Sequence, residues 1–209
     1  MHSIYEKLIG LLDLSSQHKT DLTNRGFTDE AIELCQFRTM PMRRKSVVQK
    51  LLETVDESDL GKCAGFYKDN DSWALSGCSG IIIPIRSSSN EILGLKIRSD
   101  RPVNPTSKYL LLSTNPRPAK NGEVKYPEGT AATVSNHFPL WGKEKCKSGV
   151  IRITEGEFKA ELATKFTGVY TISISGVSNW RMAMDAIQEL KPKKILLSFD
   201  ADKDKANPY

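Results

Sequence analysis

Three carboxylates carry the most specific chemistry legible in this chain. An apolar run, Val150 to Ile153, ends abruptly in Thr154-Glu155-Gly156, and a second, Ile195-Leu196-Leu197-Ser198-Phe199, ends in Asp200-Ala201-Asp202. Two buried strands that both finish in acids are expected to lie side by side and in parallel, which brings their carboxylates to one sheet edge. In open α/β sheets, ligands sit outside the carboxyl ends of the strands. Gathered carboxylates repel one another unless a cation or a proton offsets their charge. Mg²⁺ suits such a cradle, because it takes one or two carboxylates and completes its shell with water and substrate phosphate. Two such ions would clamp both oxygens of an in-line phosphoryl displacement. Either motif alone is better explained as a solvated loop acid. At the ends of the first and third strands of one βαβαβ run, Glu155, Asp200 and Asp202 are expected to bind metal.

The elements that must position these acids follow from Ser148 onward, where strand and helix patterns alternate as in a parallel sheet. Val150 to Thr154 is expected as a strand and Glu157 to Phe166 as a helix ending at Gly168. Val169 to Ile174 reads as the next strand, Ser175-Gly176-Val177-Ser178 as a tight loop, Asn179 to Leu190 as a helix closed by Pro192, and Lys194 to Phe199 as the third strand.

Upstream the pattern is different. Gly80 to Arg86 reads as a strand, with Pro84 marking an edge or a bulge. Ser87 to Asn90 is a loop, and Ile92 to Arg98 the return strand. The two-residue period puts Leu93, Leu95 and Ile97 on one face and Lys96 and Arg98 on the other. Lys108 to Leu112 is a further strand. Residues 115–129, with Pro116, Pro118, Gly122, Pro127 and Gly129, are expected to be a mobile loop, and His137 to Trp141 a short ordered connector. The N-terminal part is helical: Ile4 to Leu14, then His18 to Gly26, then a helix capped by Thr28 with Ala31, Ile32, Leu34 and Cys35 inward, then Val47 to Val55. Arg43-Arg44-Lys45 is either a phosphate contact or a solvated helix start. Asp59 to Ser79 is expected to be irregular, with a small hairpin whose Phe66, Tyr67, Trp73 and Leu75 serve the core rather than base stacking.

At 209 residues the chain holds one large domain or two small ones, and 39% hydrophobic with 26% charged residues is ordinary for a globular protein. A net charge of +5 permits a nucleic-acid partner without demanding one. Cys35, Cys63, Cys78 and Cys146 are scattered, which argues against a structural zinc and for reduced thiols. No apolar run reaches membrane-spanning length, and Met1 to Lys7 lacks a signal-peptide pattern. A soluble, cytoplasmic protein is expected.

Thr154-Glu155-Gly156-Glu157, followed by strand and helix and then Phe199-Asp200-Ala201-Asp202, resembles the Toprim domain shared by bacterial primases, phage primase–helicases, topoisomerases and some nucleases. Gly80-Ile81-Ile82-Ile83-Pro84-Ile85-Arg86, then Gly94-Leu95-Lys96-Ile97-Arg98 and Lys108-Tyr109-Leu110, resembles the N-terminal half of the primase RNA-polymerase domain, in the same order. Asn24 to Ile32 is similar to the helical Arg-Gly-hydrophobic-Ser/Thr segment of that domain. The whole chain is similar to a Toprim-bearing family of unassigned function in phages, plasmids and integrated elements. The resemblance implies an α+β fold. N-terminal helices (1–60) and a mixed hairpin subdomain (61–147) would precede a partial Toprim subdomain with a Rossmann-like βαβαβ parallel sheet (148–209). It implies Glu155 as the catalytic acid, acting as metal ligand or general base. It implies Asp200 and Asp202 as ligands of Mg²⁺ or Mn²⁺, and Arg86, Lys96, Arg98, Lys108 and Lys159 as contacts for nucleotide phosphates and template.

Three departures stand out. Replicative primases carry an acid where this chain has Lys159, which could pair with an acid or a phosphate and weaken metal binding. No zinc ribbon is present. The Toprim sheet normally continues past the Asp-x-Asp, so this chain is expected to be a piece of a longer polypeptide, with an inactive site as one outcome. The expected function is a primase-like, metal-dependent nucleotidyltransferase module in the DNA replication of a phage or mobile element. Its expected partners are single-stranded DNA, nucleoside triphosphates and a replicative helicase, with no membrane. The alternatives are a Toprim nuclease and a catalytically degenerate module that binds DNA or a partner.

Overall fold

The computed structural model describes residues 1–104, 108–119 and 122–200. The chain is α+β and divides into two compact units, Met1–Val134 and a second from Ser135 on. The sequence partition set its boundaries at 60 and 147 instead.

In the first unit, helix α1 (His2–Gly10) buries Ile4, Tyr5, Leu8 and Ile9 along one stripe. It stops well before Leu14, because the Asp13 carbonyl accepts from Thr39 N at 2.9 Å in an extended pairing that a helix would forbid. Helix α2 (Ser16–Asn24) starts two residues before His18, because Ser15 is its cap and its hydroxyl accepts from His18 N at 3.2 Å. Thr28 caps α3 (Asp29–Cys35), accepting from Ala31 N at 3.3 Å. Leu34, expected inward, is 44% exposed: Ala31, Ile32 and Cys35 define the inner stripe and Leu34 lies off it. Helix α4 (Arg44–Leu52) and the short α5 (Glu57–Leu60) follow, the latter at the start of a stretch expected to be irregular.

These helices pack on a four-stranded sheet with the order β1-β4-β5-β6, where β1 is Arg38–Thr39, β4 Gly80–Arg86, β5 Ile92–Ser99 and β6 Tyr109–Leu111. All its pairings are antiparallel. Pro84 is tolerated in β4 because β1 reaches only Ile81 and Ile82, so the missing N–H faces no partner on that side. Arg86 pairs with Ile92 but Ile85 with Gly94, which leaves Leu93 as an extra, unpaired residue. This bulge corrects the expected alternation. Leu93 is 36% exposed, and Ile92, Leu95 and Ile97 form the inward set. That face shares one core with α1, α4 and the hairpin β2 (Phe66–Asp69) and β3 (Ser72–Leu75), through Leu8, Leu51, Phe66, Trp73 and Leu75. The Tyr5 hydroxyl donates to Ala64 O at 2.9 Å, and burial holds its phenol well above the usual value.

Thr114 ties the unit's loops together. Its hydroxyl, 0% exposed, accepts from Gly65 N and Thr130 N at 3.2 Å and lies 2.9 Å from Phe66 O as donor. Thr114→Val keeps the shape and strands two backbone donors, so it is expected to destabilise this unit by about 2–4 kcal/mol in urea unfolding. Downstream, residues expected as loop form a small hairpin, β7 (Arg117–Pro118) and β8 (Val124–Lys125).

In the second unit, β9 (Val150–Glu155) lies between β10 (Tyr170–Ile174) and β11 (Lys194–Ser198), all parallel, as the alternating pattern predicts. Helix α6 (Glu157–Thr167) follows β9, and α7 (Ala183–Leu190) follows β10. Regular helix begins at Ala183 rather than Asn179. A 3-10 turn over Val177–Met182 comes first, kinked at Asn179, whose amide donates to Ser175 O at 2.6 Å. Ile151, Ile153, Ile172 and Ile174 fill the two cores of the unit. Among the described residues, no helix is long and apolar enough to cross a membrane.

Candidate active site

The parallel register fixes where the acids fall. Ile174 pairs with Glu155 and Ser198 with Thr154, so all three strands finish at one edge. Glu155 ends the central strand, half-buried. Asp200 lies two residues past β11, exposed. Asp202 lies outside the described residues. Thr154, which sequence reasoning passed over, steadies the edge: its hydroxyl donates to Ser198 O at 2.7 Å and clips the end of β11 to that of β9. A hydroxyl directly before the motif glutamate was the available signal. Gly156 and Gly176 turn the chain off the two strand ends at φ +81° and +88°, and nothing lies within 4 Å of where a Cβ would sit. Both turns are closed to L side chains by conformation rather than by crowding.

Lys159, in the first turn of α6, sends its ammonium to both carboxylate oxygens of Asp200. Both side chains are half or more exposed, so the pair stabilises the fold by about 1 kcal/mol at most. Its importance is local, since it sets a cation against one of the expected metal ligands. Among the described residues, no three His, Cys, Asp or Glu side chains gather as a metal-binding group. Glu155 and Asp200 remain a pair of hard oxygen donors, the kind Mg²⁺ takes when water and phosphate complete its shell. The donor set suits such an ion in kind, with Lys159 as a built-in competitor.

The helix behind the site holds two further acids that sequence reasoning missed. Glu157 and Glu161 are 3% and 1% exposed, one turn apart on the inner face of α6. Glu161 Oε1 lies 3.1 Å from His137 Nε2 and accepts from Leu140 N at 3.3 Å. His137 in turn exchanges both backbone hydrogen bonds with Ser173 of β10, so the connector from Asn136 to Leu140 is fastened to the sheet. The four-residue spacing of the two acids, in register with Ala160 and Thr164, was the signal.

The remaining predicted residues lie in the first unit. Arg86 is 5% exposed and donates to Asn90 O at 3.0 Å and to the Gln36 side chain. Arg98 pairs with Asp21 of α2 at 2.9 Å and is mostly buried. Lys96 is 6% exposed, opposite Ile83 and Leu111. Lys108 is exposed, and its carbonyl accepts from Ser99 N at 2.9 Å, one residue from the Arg98–Tyr109 pair. Lys108 is thus the freest of these four cations to meet a phosphate.

No protein-family model matches the chain, and no curated protein matches it. Solved structures do. The chain has the α+β fold of the RNA-polymerase domain of bacterial primases. It is similar to the zinc-binding and RNA-polymerase domains of the Aquifex aeolicus primase, with a TM-score of 0.72 and 14% identity over 95% of this chain and 47% of that one. It is also similar to the RNA-polymerase domain of Mycobacterium tuberculosis primase DnaG, with a TM-score of 0.64 and 16% identity over 90% of this chain and 61% of that one. A third match is a DnaG catalytic domain solved bound to ssDNA, with a TM-score of 0.60 and 17% identity over 96% of this chain and 63% of that one. The chain therefore spans between about half and under two thirds of the length of these structures.

Proposed function

We propose that this chain is the polymerase-type module of a primase-like nucleotidyltransferase that acts in the DNA replication of a phage or mobile element. It binds single-stranded DNA and nucleoside triphosphates. The observation that carries this reading is the primase-domain fold over nearly the whole chain, with Glu155 and Asp200 at adjoining strand ends. Glu155, Asp200 and Asp202 of a Toprim-type edge would hold Mg²⁺ or Mn²⁺. The ion supplies charge stabilisation at the reacting phosphate and the leaving pyrophosphate. Glu155 orients the reacting centre, and Thr154 keeps the two strand ends in register. Lys108 and Lys159 offer cations to phosphates. A replicative helicase is the expected partner of the complete protein. The test is ribonucleotide incorporation on a single-stranded template with Mg²⁺ or Mn²⁺. Release of nucleotides from DNA without any triphosphate would favour the nuclease instead.

One observation favours a second reading, a degenerate binding module: the Lys159 ammonium already sits on Asp200. Titration of Mn²⁺ by electron paramagnetic resonance separates the two. Under the enzymatic reading, Lys159→Ala is expected to bind the ion tighter by on the order of 10-fold, the scale of removing one charge about 5 Å from a divalent cation in water-like surroundings. No binding by either protein would assign the edge to the degenerate reading.

A further inference from the structure

The segment that follows β10 leaves three large apolar side chains in water. Val177, Trp180 and Met184 are 47%, 49% and 44% exposed. Their spacing of three and then four residues puts them on one stripe, from the 3-10 turn into α7. The opposite stripe, Ala183, Ala186 and Ile187, packs on the sheet. An exposed indole on a loose loop is ordinary. This segment is not loose. The Asn179 side chain donates to Ser175 O at 2.6 Å and its backbone N to Gly176 O at 3.0 Å. At the other end, the amide of the buried Asn136 donates to Met182 O at 2.7 Å. The turn is therefore fastened on both sides of Trp180. The exposed Arg181 guanidinium lies 4.8 Å from the centre of the Trp180 ring. A flat ring backed by a guanidinium is a platform on which nucleobases stack.

The platform stands at the carboxyl edge of the parallel sheet, on the side of Glu155. Side chains alternate along β9, so Glu155 shares a face with Ile151 and Ile153. That is the face on which α7 packs, with Ala183 against Ile153 and Ile174. Helix α7 returns the chain from β10 to the parallel β11, so it runs opposite to β9. Two residues on from Ile153 is Glu155, and three residues back from Ala183 is Trp180. Both steps climb toward the same edge, each by about 6–7 Å. Helix α6 covers the opposite face, where Arg152 donates to Thr167 Oγ1 at 2.9 Å, and brings Lys159 to the edge from there. The strand order β10-β9-β11, with helices on opposite faces, makes this edge a topological switch point, where α/β sheets take ligands.

We infer that Trp180 and Arg181 form a nucleobase subsite beside the acid edge. The base of a nucleoside triphosphate stacks on the pair, and its phosphates reach toward Glu155 and Lys159. The inference rests on the proposed function for the place of the triphosphate, and it names the residues that hold the rest of the nucleotide. Stacking is tolerant of sequence because every base has a π-face, so the subsite takes purine and pyrimidine triphosphates alike. A docked protein is the other occupant an apolar stripe could have. The guanidinium on the ring and the position beside Glu155 favour the nucleotide.

Calorimetric titration of the full chain with ATP, UTP and inorganic tripolyphosphate, each in Mg²⁺, tests it. Trp180→Ala is expected to weaken ATP and UTP by about 10-fold and to leave tripolyphosphate, which has no base, unchanged. Trp180→Phe, which keeps a stacking face, is expected to bind ATP nearly as the wild type does. Photolabelling of the unaltered protein with 8-azido-ATP should mark the peptide that holds Trp180, and it does not depend on how any variant folds. ATP affinity unchanged in Trp180→Ala, or label on other peptides, overturns the subsite, leaves the stripe to a protein partner and leaves the triphosphate reading intact. Equal losses for ATP and tripolyphosphate assign Trp180 to the scaffold and overturn the subsite as well. No binding of ATP, UTP or tripolyphosphate by the wild type overturns both readings.

Discussion

Glu155→Gln is expected to leave the protein folded and to lower ribonucleotide incorporation by about 10²- to 10³-fold, the scale of removing one group that stabilises charge at a reacting centre. Glu155 is half-buried at the end of β9, and the substitution keeps its volume while removing its charge. Surface changes of this kind shift stability by about 0.5 kcal/mol or less. The variant should therefore melt with the wild type and still bind single-stranded DNA, so that activity and binding separate. Incorporation equal to wild type would remove Glu155 from the chemistry and, with it, the reading of the sheet edge as a catalytic centre. The comparison is made on matched template, triphosphate and divalent ion, first in Mg²⁺ and then in Mn²⁺, so that a change in ion preference is not mistaken for a loss of function.

Glu161→Ala is expected to destabilise the second unit by about 3 kcal/mol or more, a large share of a small domain's stability. The carboxylate is 1% exposed and serves two partners, the half-buried Leu140 N and His137 Nε2, and the latter, on a side chain buried as deeply as its own, has no water to turn to when it is removed. The loss should appear in urea unfolding followed by circular dichroism, while Thr114→Val acts on the other unit. A His137→Phe/Glu161→Leu double variant removes both polar partners at once and should recover much of the loss, because replacing a buried polar pair by packed apolar groups is often near neutral. Equal midpoints for Glu161→Ala and wild type would mean that the connector is not fastened through this pair.

The parallel unit was legible because its strands are short stretches rich in β-branched apolar residues, each ended by an acid or a glycine: Val150 to Ile153 before Thr154-Glu155-Gly156, and Tyr170 to Ile174 before Ser175-Gly176. Composition of that kind depends on local chain chemistry alone. The features that escaped depend on partners distant in sequence. Nothing near Asp13 announces that its carbonyl will pair with Thr39 and end a helix. Nothing near Arg86 announces Gln36, fifty residues away. The buried acids of α6 were hidden differently: Glu157 and Glu161 read as the polar face of an amphipathic helix until His137 is known to lie against it. At the expected site, Glu155 ends β9 and Asp200 lies two residues past the end of β11, the strand beside it. The sequence held open whether Lys159 would meet an acid or a phosphate, and within the chain itself the ammonium meets Asp200.

The bulge in β5 makes one position of that strand unlike its neighbours. Excising Leu93 would let Ile92 run directly into Gly94 with every cross-strand partner retained, so Leu95 and Ile97 would still point toward α1. Excising any residue from Gly94 to Lys96 would instead reverse the strand downstream, driving a cation into the hydrophobic layer and a leucine or isoleucine out of it. Length variation in this hairpin is therefore expected to accumulate at Leu93 and in the Ser87–Asn90 loop.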